Sequence, residues 1–153
     1  MTLRLSTGLV NGMAVTGSFK SIMEGTANAG FYIDIYTGTR PATPDAAATG
    51  TKLARLTAAA GARLHFDSVV AAAGVLQKAP AEVWQGTGLA NGTAGYFRVV
   101  TNADDGTTVS NVFTRIDGAI ATSGSDMNMT STTVATNAPL AAATATFTLP
   151  TTA

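Results

Sequence analysis

Apolar and polar side chains alternate strictly through Phe31-Tyr32-Ile33-Asp34-Ile35-Tyr36. A two-residue period places Phe31, Ile33 and Ile35 on one face of a strand and Tyr32, Asp34 and Tyr36 on the other. Similar short segments recur along the rest of the chain: Thr51–Thr57, Arg63–Val69, Gly74–Ala79, Ala81–Thr87, Gly95–Thr101, Thr108–Ala121, Ser125–Ser131 and Thr144–Pro150. In the last of these, Ala145, Phe147 and Leu149 face inward and the threonines face solvent, where their β-branched carbons suit a pleat. Asp105-Gly106 predicts a tight hairpin between the Phe97 and Phe113 strands, Thr122–Asp126 a similar turn, and Asn91-Gly92 a third. Pro41 and Pro44 make Thr37–Gly50 a loop, because a central strand does not tolerate them. Closely spaced strands with few helices between them predict an all-β, antiparallel β-sandwich, jelly-roll-like, over residues 29–153.

The first 28 residues follow another period. Leu9 and Met13, then Phe19, Ile22 and Met23, recur at three- and four-residue spacings, which suits short amphipathic helices. Ser18 or Thr16 caps the second of these, Gly25 closes it, and Gly12 and Gly17 oppose one long helix. Residues 1–28 therefore read as an N-terminal arm with short helical segments. A chain of 153 residues makes one domain with a sizeable core.

Charge is scarce. Acidic and basic residues are 12% of the chain, against roughly 25% in an average domain. The net charge is zero, and a neutral surface of Thr, Ala and Gly favours association with other subunits. Residues 1–63 hold six basic and three acidic groups and the remainder three and six, but no dense basic stripe forms, so nucleic-acid binding is not expected. No signal peptide is read in the opening residues, and no run reaches the ~18 apolar residues of a membrane span.

The search for chemistry yields little. There is no cysteine, hence no disulfide or thiol nucleophile. His65 is the lone histidine and could pair with Asp67 on one strand face, but no second catalytic group accompanies it. No GxSxG, GxxxxGK[ST] or GxGxxG motif occurs. Asn102, Asp104 and Gly106 approach a calcium-loop spacing without its distal Glu. Glu82 has no local partner for glycoside hydrolysis. Trp84, Tyr32, Tyr36 and Tyr96 could make a platform for sugar rings, but a core anchor at Trp84 with tyrosines covering the sheet is the better account. Neither an enzyme nor a cofactor or metal is expected.

Several segments together carry a likeness: Leu3–Met13 (LRLSTGLVNGM), Gly17–Gly25 (GSFKSIMEG), Ile33–Thr57 (IDIYTGTRPATPDAAATGTKLARLT), Gly92–Val100 (GTAGYFRVV) and Arg115–Ala121 (RIDGAIA). This pattern resembles a family of small structural proteins in tailed bacteriophages and prophages, and it covers most of the chain up to Thr132. It defines no active site. The resemblance implies a non-enzymatic virion subunit, assembled in the bacterial host cytoplasm. The first expectation is a head decoration subunit on the major capsid protein, and the second a neck or tail accessory. A carbohydrate-binding module for host attachment is the alternative of a different class. A homo-oligomer is expected, with no nucleic acid or membrane partner. The arm, through Leu3, Arg4, Leu5, Leu9 and Met13, is the candidate contact with a neighbour.

Overall fold

The computed structural model describes residues 3–25, 30–67, 74–101 and 104–149. Of these, 42% are strand and 14% helix, and the strands form one curled, mixed sheet, a half-barrel. The strands are β1 (Arg4–Leu5), β2 (Phe31–Thr37), β3 (Lys52–Leu56), β4 (Val75–Gln77), β5 (Gln85–Thr87), β6 (Gly92–Thr101), β7 (Arg115–Ala121), β8 (Met127–Met129), β9 (Thr133–Val134) and β10 (Pro139–Thr148). The order along the main path is β3-β2-β6-β7-β8-β10-β4, with β1 on β7, β5 on β10 and β9 on β6. Isolated bridges Phe31–Leu64 and Phe66–Lys78 lead round from β2 to β4, and Ala54–Gly88 and Thr57–Gln85 lead from β3 to β5. The curl thus brings its own edges together, which shields them from other strands.

Two expectations change. The sheet is not wholly antiparallel, because β7 and β8 run parallel, with Ile120 opposite Met127. Asp126 Oδ2 accepts the Ala119 amide at 2.9 Å, so residues 122–126 fold back along β7 instead of reversing it. The tight hairpin at Asp105-Gly106 is also absent. β6 and β7 do pair as antiparallel neighbours, but Phe113 lies outside any strand and the connection is a long loop. That loop exists because Asp104 turns inward to meet Arg115, as described below.

The core lies inside the curl. Phe31, Ile33 and Ile35 of β2 meet Leu53 and Leu56 of β3, Phe97 and Val99 of β6 and Ile116 of β7. Aromatic rings fill the middle. Phe31 and Phe66 stand 4.6 Å apart, Phe31 meets Trp84 edge-on at 5.6 Å, and Phe147 meets Phe66 at 5.1 Å and Phe97 at 5.9 Å. Such pairs add about 0.5–1.5 kcal/mol each to the gain from burial.

The arm is built into this core. α1 (Thr7–Val15) is capped by Ser6, whose hydroxyl accepts the Leu9 amide, and α2 (Phe19–Glu24) is capped by Ser18 and closed by Gly25. Leu9 and Met23 are fully buried, and Leu3 and Phe19 nearly so. Leu3 fits because Gly118 has no side chain: a Cβ there would lie 2.2 Å from Phe97 Cζ and 2.9 Å from Leu3 Cδ2.

Candidate functional site

The polar face of the sheet is the most unusual part of the molecule. Tyr32, Asp34 and Tyr36 point away from the aromatic core, as their alternation requires, yet Asp34 and Tyr36 are buried. The cover is residues 37–50 together with the 104–114 loop. Register places Arg55 opposite Asp34, Asp34 opposite Arg98, Arg98 opposite Asp117 and Asp117 opposite Arg4. An alternating row of charges therefore crosses β3, β2, β6, β7 and β1. Opposite charges directly across a ladder attract.

Two pairs in this row, Arg55–Asp34 and Arg98–Asp117, have two-pronged geometry. Arg55 reaches both Asp34 oxygens at 2.6 and 2.7 Å, and Lys52 adds a third bond to Asp34 at 2.6 Å. Arg98 grips Asp117 at 2.7 and 2.7 Å and sends Nη1 to the carbonyls of Ala46 at 2.8 Å and Gly106 at 2.9 Å. Beside them, Arg115 grips Asp104 at 2.5 and 2.7 Å and donates to the carbonyls of Pro44 and Thr108. The side chains of Arg98, Asp117, Arg115 and Asp104 are fully buried. Buried charges persist only when paired and hydrogen-bonded, and these are both.

The arginines thus fasten both covering loops to the sheet. Arg4 donates to the Pro41 carbonyl, and Arg40 donates to the Asp117 carbonyl at 3.3 Å. Tyr96 accepts the Thr49 amide and donates to the Thr49 carbonyl. Asp45 accepts the Thr7 amide and hydroxyl at 2.9 and 2.6 Å, and its carbonyl accepts the Ser110 amide. Ser6 ties the arm in: its hydroxyl donates to the Phe113 carbonyl and accepts the Arg115 amide. Tyr36 is the exception. It stacks on Tyr96 at 5.2 Å, but its buried hydroxyl has no hydrogen-bond partner among the described residues. Burial, followed by the nearby Asp34 charge, pushes its pKa well above the ordinary phenol value.

The five arm residues belong to this assembly. Leu3 and Leu9 lie inside the chain's own core, and Leu5 and Met13 pack partly buried against it. Arg4 closes the charge row. The apolar area expected to lie on a neighbour is, for Leu3 and Leu9, buried at home.

The remaining chemical candidates resolve differently. His65 faces Glu82: Nδ1 lies 2.7 Å from Glu82 Oε1. Glu82 Oε2 accepts the His65 amide and Trp84 Nε1, both at 2.9 Å. Burial tends to raise the Glu82 pKa, but the bonds from His65 and Trp84 outweigh it and hold the carboxyl below its usual range. This cluster pins the 63–67 segment to the segment carrying Trp84. Trp84 is fully buried, and Tyr36 and Tyr96 are nearly so, which leaves no platform of those rings for a sugar. Tyr32 is half-buried with the guanidinium groups of Arg55 and Arg63 at 5.0 and 5.9 Å from its ring. Asn102 of the calcium-like spacing lies outside the described residues, and Asp104 belongs to Arg115. Among the described residues no group of three or more metal-ligating side chains occurs, and no helix is long and apolar enough to cross a membrane.

Sequence reasoning missed the charge row and the Glu82 cluster. The row left a signal: Asp34, Arg98 and Asp117 each occupy an alternating position flanked by apolar residues in a strong strand. A comparison of the chain with protein-family models, curated proteins and solved structures finds no match in any of the three.

Proposed function

We propose that this chain is a non-enzymatic structural subunit of a tailed-phage virion, decorating the head by binding the major capsid protein and copies of itself. One observation carries the reading. The segments that resemble phage structural proteins supply the parts that hold the fold together. Leu3–Met13 brings Arg4, Ser6 and Leu9. Ile33–Thr57 brings Asp34, Arg55 and the 37–50 covering loop. Gly92–Val100 brings Tyr96 and Arg98, and Arg115–Ala121 brings Arg115, Asp117 and Gly118. What the pattern encodes is thus a cross-linked framework. Its charged groups are committed to holding loops in place, which suits a particle component that must stay rigid. The finer description of the fold as a sandwich-like, jelly-roll-like body goes with this proposal, since β3, at one end of the sheet path, and β10, next to the other end, share one buried core.

The test is location. Antibody labelling and mass spectrometry of purified particles should find the chain on the head, and recombinant protein should bind heads that lack it. Labelling at the neck or tail supports the second placement instead. Absence from purified particles, or hydrolysis of bacterial wall polymers by the pure protein, overturns the proposal.

A further inference from the structure

One cation in this chain is left over. Of the nine Lys and Arg side chains, all but Arg63 donate a hydrogen bond to another residue. Among the described residues Arg63 makes neither a side-chain hydrogen bond nor an ion pair. Its guanidinium stands 5.9 Å from the centroid of the Tyr32 ring. The carboxylates of the surrounding segments are engaged with other groups. Asp34 holds Lys52 and Arg55, and Glu82 holds His65 and the Trp84 ring nitrogen. Asp67, four residues along, forms no ion pair with Arg63.

The fold fixes where this cation sits. Leu64 bridges Phe31 at the start of β2. Leu64 and Phe66 are buried, while Arg63 and His65 are partly exposed, so Arg63 lies on the outer side of the segment. Gly30, at φ +102°, lets the segment come close: a Cβ there would lie 2.8 Å from Arg63 Cβ. From β3, Arg55 reaches the same Tyr32 ring at 5.0 Å. It gives Nε and Nη2 to Asp34, and its Nη1 donates to no described residue. Tyr32 and Arg55 are, like Arg63, partly exposed. Two guanidinium groups thus approach one ring. Asp34 answers the charge of Arg55, and nothing in the described chain answers that of Arg63. A cation left beside another cation attracts an anion.

We infer that Arg63, over Tyr32 and beside Arg55, binds a carboxylate, and that this carboxylate is an acidic side chain of a partner protein. The inference rests on the reading of the chain as an assembly subunit and names the chemistry of its partner. The donors decide the anion. Arg63 offers a planar fork that two carboxylate oxygens match. Asp34, Asp104 and Asp117 are each gripped by an arginine in this way within the chain. A phosphate, with more oxygens and more charge, calls for a helix N-terminus or a dense basic patch. Lys52 and Arg55 are already drawn to Asp34, so no such patch forms. The residue types decide the source, because protein interfaces centre on Arg and Tyr.

NMR of the full chain, following the arginine Nε–Hε signals, tests this with sodium acetate as the carboxylate probe and sodium chloride matched for ionic strength. Acetate should shift the Arg63 signal saturably below about 0.1 M, where a solvated surface arginine would not saturate. Arg63→Gln, read on the Tyr32 ring signals, should weaken acetate binding by about tenfold or more. It should leave the urea midpoint unchanged, since it breaks no internal bond. Phage heads lacking the chain are the second probe. Arg63→Glu should bind them about tenfold more weakly or worse, with Arg63→Lys between it and the wild type. Acetate that shows no preference for Arg63, phosphate that binds there more tightly than acetate, or head binding untouched by Arg63→Glu overturns the inference. So does a loss of stability in Arg63→Gln, which would reveal a partner inside the chain. An Arg63-dependent dimer in sedimentation equilibrium overturns it as well, by making the carboxylate the chain's own. If the wild-type chain ignores heads while acetate saturates Arg63, the virion assignment fails and the carboxylate site stands.

Discussion

Replacing one member of the Arg98–Asp117 pair should cost far more than replacing both. Neither side chain is exposed. Arg98→Met leaves the Asp117 carboxylate buried without its two guanidinium bonds, and removal of one partner from a buried pair costs about 3–5 kcal/mol. Asp117→Leu strands a guanidinium that keeps only the Ala46 and Gly106 carbonyls, with a cost at the lower end of that range. The double variant Arg98→Met/Asp117→Leu buries no charge. Its loss is confined to the carbonyl bonds, and Gly106 keeps the Ala48 amide as a second donor. At about 1 kcal/mol for each unreplaced bond, the double change costs about 1–2 kcal/mol. The two single costs therefore exceed the double cost by several kcal/mol. Urea unfolding followed by Trp84, the chain's one tryptophan, measures this. With a slope of about 2 kcal/mol per molar, Arg98→Met should lower the midpoint by about 2 M and the double variant by less than half as much. Additive single and double losses, or a loss below about 1 kcal/mol for Arg98→Met, would refute the claim that this pair acts as one buried unit holding the loops.

Other expectations concern single sites. Tyr36→Phe removes an unpartnered buried hydroxyl and should leave stability unchanged or raise it by about 1 kcal/mol in thermal melts; a clear loss would mean the hydroxyl has a partner. Gly118→Ala forces a methyl into Phe97 and Leu3 and should cost about 1–3 kcal/mol by overpacking, with β1 losing amide-exchange protection first. The Glu82 pKa is depressed in the folded chain below its ordinary 4.5, so the unfolded state binds more protons as pH falls through that region. The stability it contributes is full above about pH 4.5 and is lost below it. Glu82→Gln should flatten the fall in stability between about pH 5 and 3 in urea titrations, and an unchanged slope would count against the cluster.

The strands with the clearest alternation were legible, and those shaped by distant partners were not. Phe31–Tyr36 forms β2 almost as read, because its apolar face needs only the nearest core. The expected Arg63–Val69 strand shrinks to bridges at Leu64 and Phe66 within the described residues, since this segment crosses between β2 and β4 instead of running along either. The last strand begins earlier than expected, at Pro139, where proline can open a strand; the small residues of Ala141–Ala143 had masked it. Ser18 and Gly25 bound α2 as the capping rules suggest. Ser6, which caps α1, was not picked out, because its second role at Arg115 lies 109 positions away. The covering loop was readable as a loop from its prolines. That it lies over buried charges depends on register between strands far apart in sequence, which no local pattern carries.

The pairing of β1 with β7 has a consequence for synthesis. Arg4 is made well before Asp117 and meets it only when that strand exists. At about 5–20 residues per second, the intervening stretch takes roughly 6–23 s to translate. Throughout that interval Leu5 waits for Ile116, the residue that it faces across the ladder.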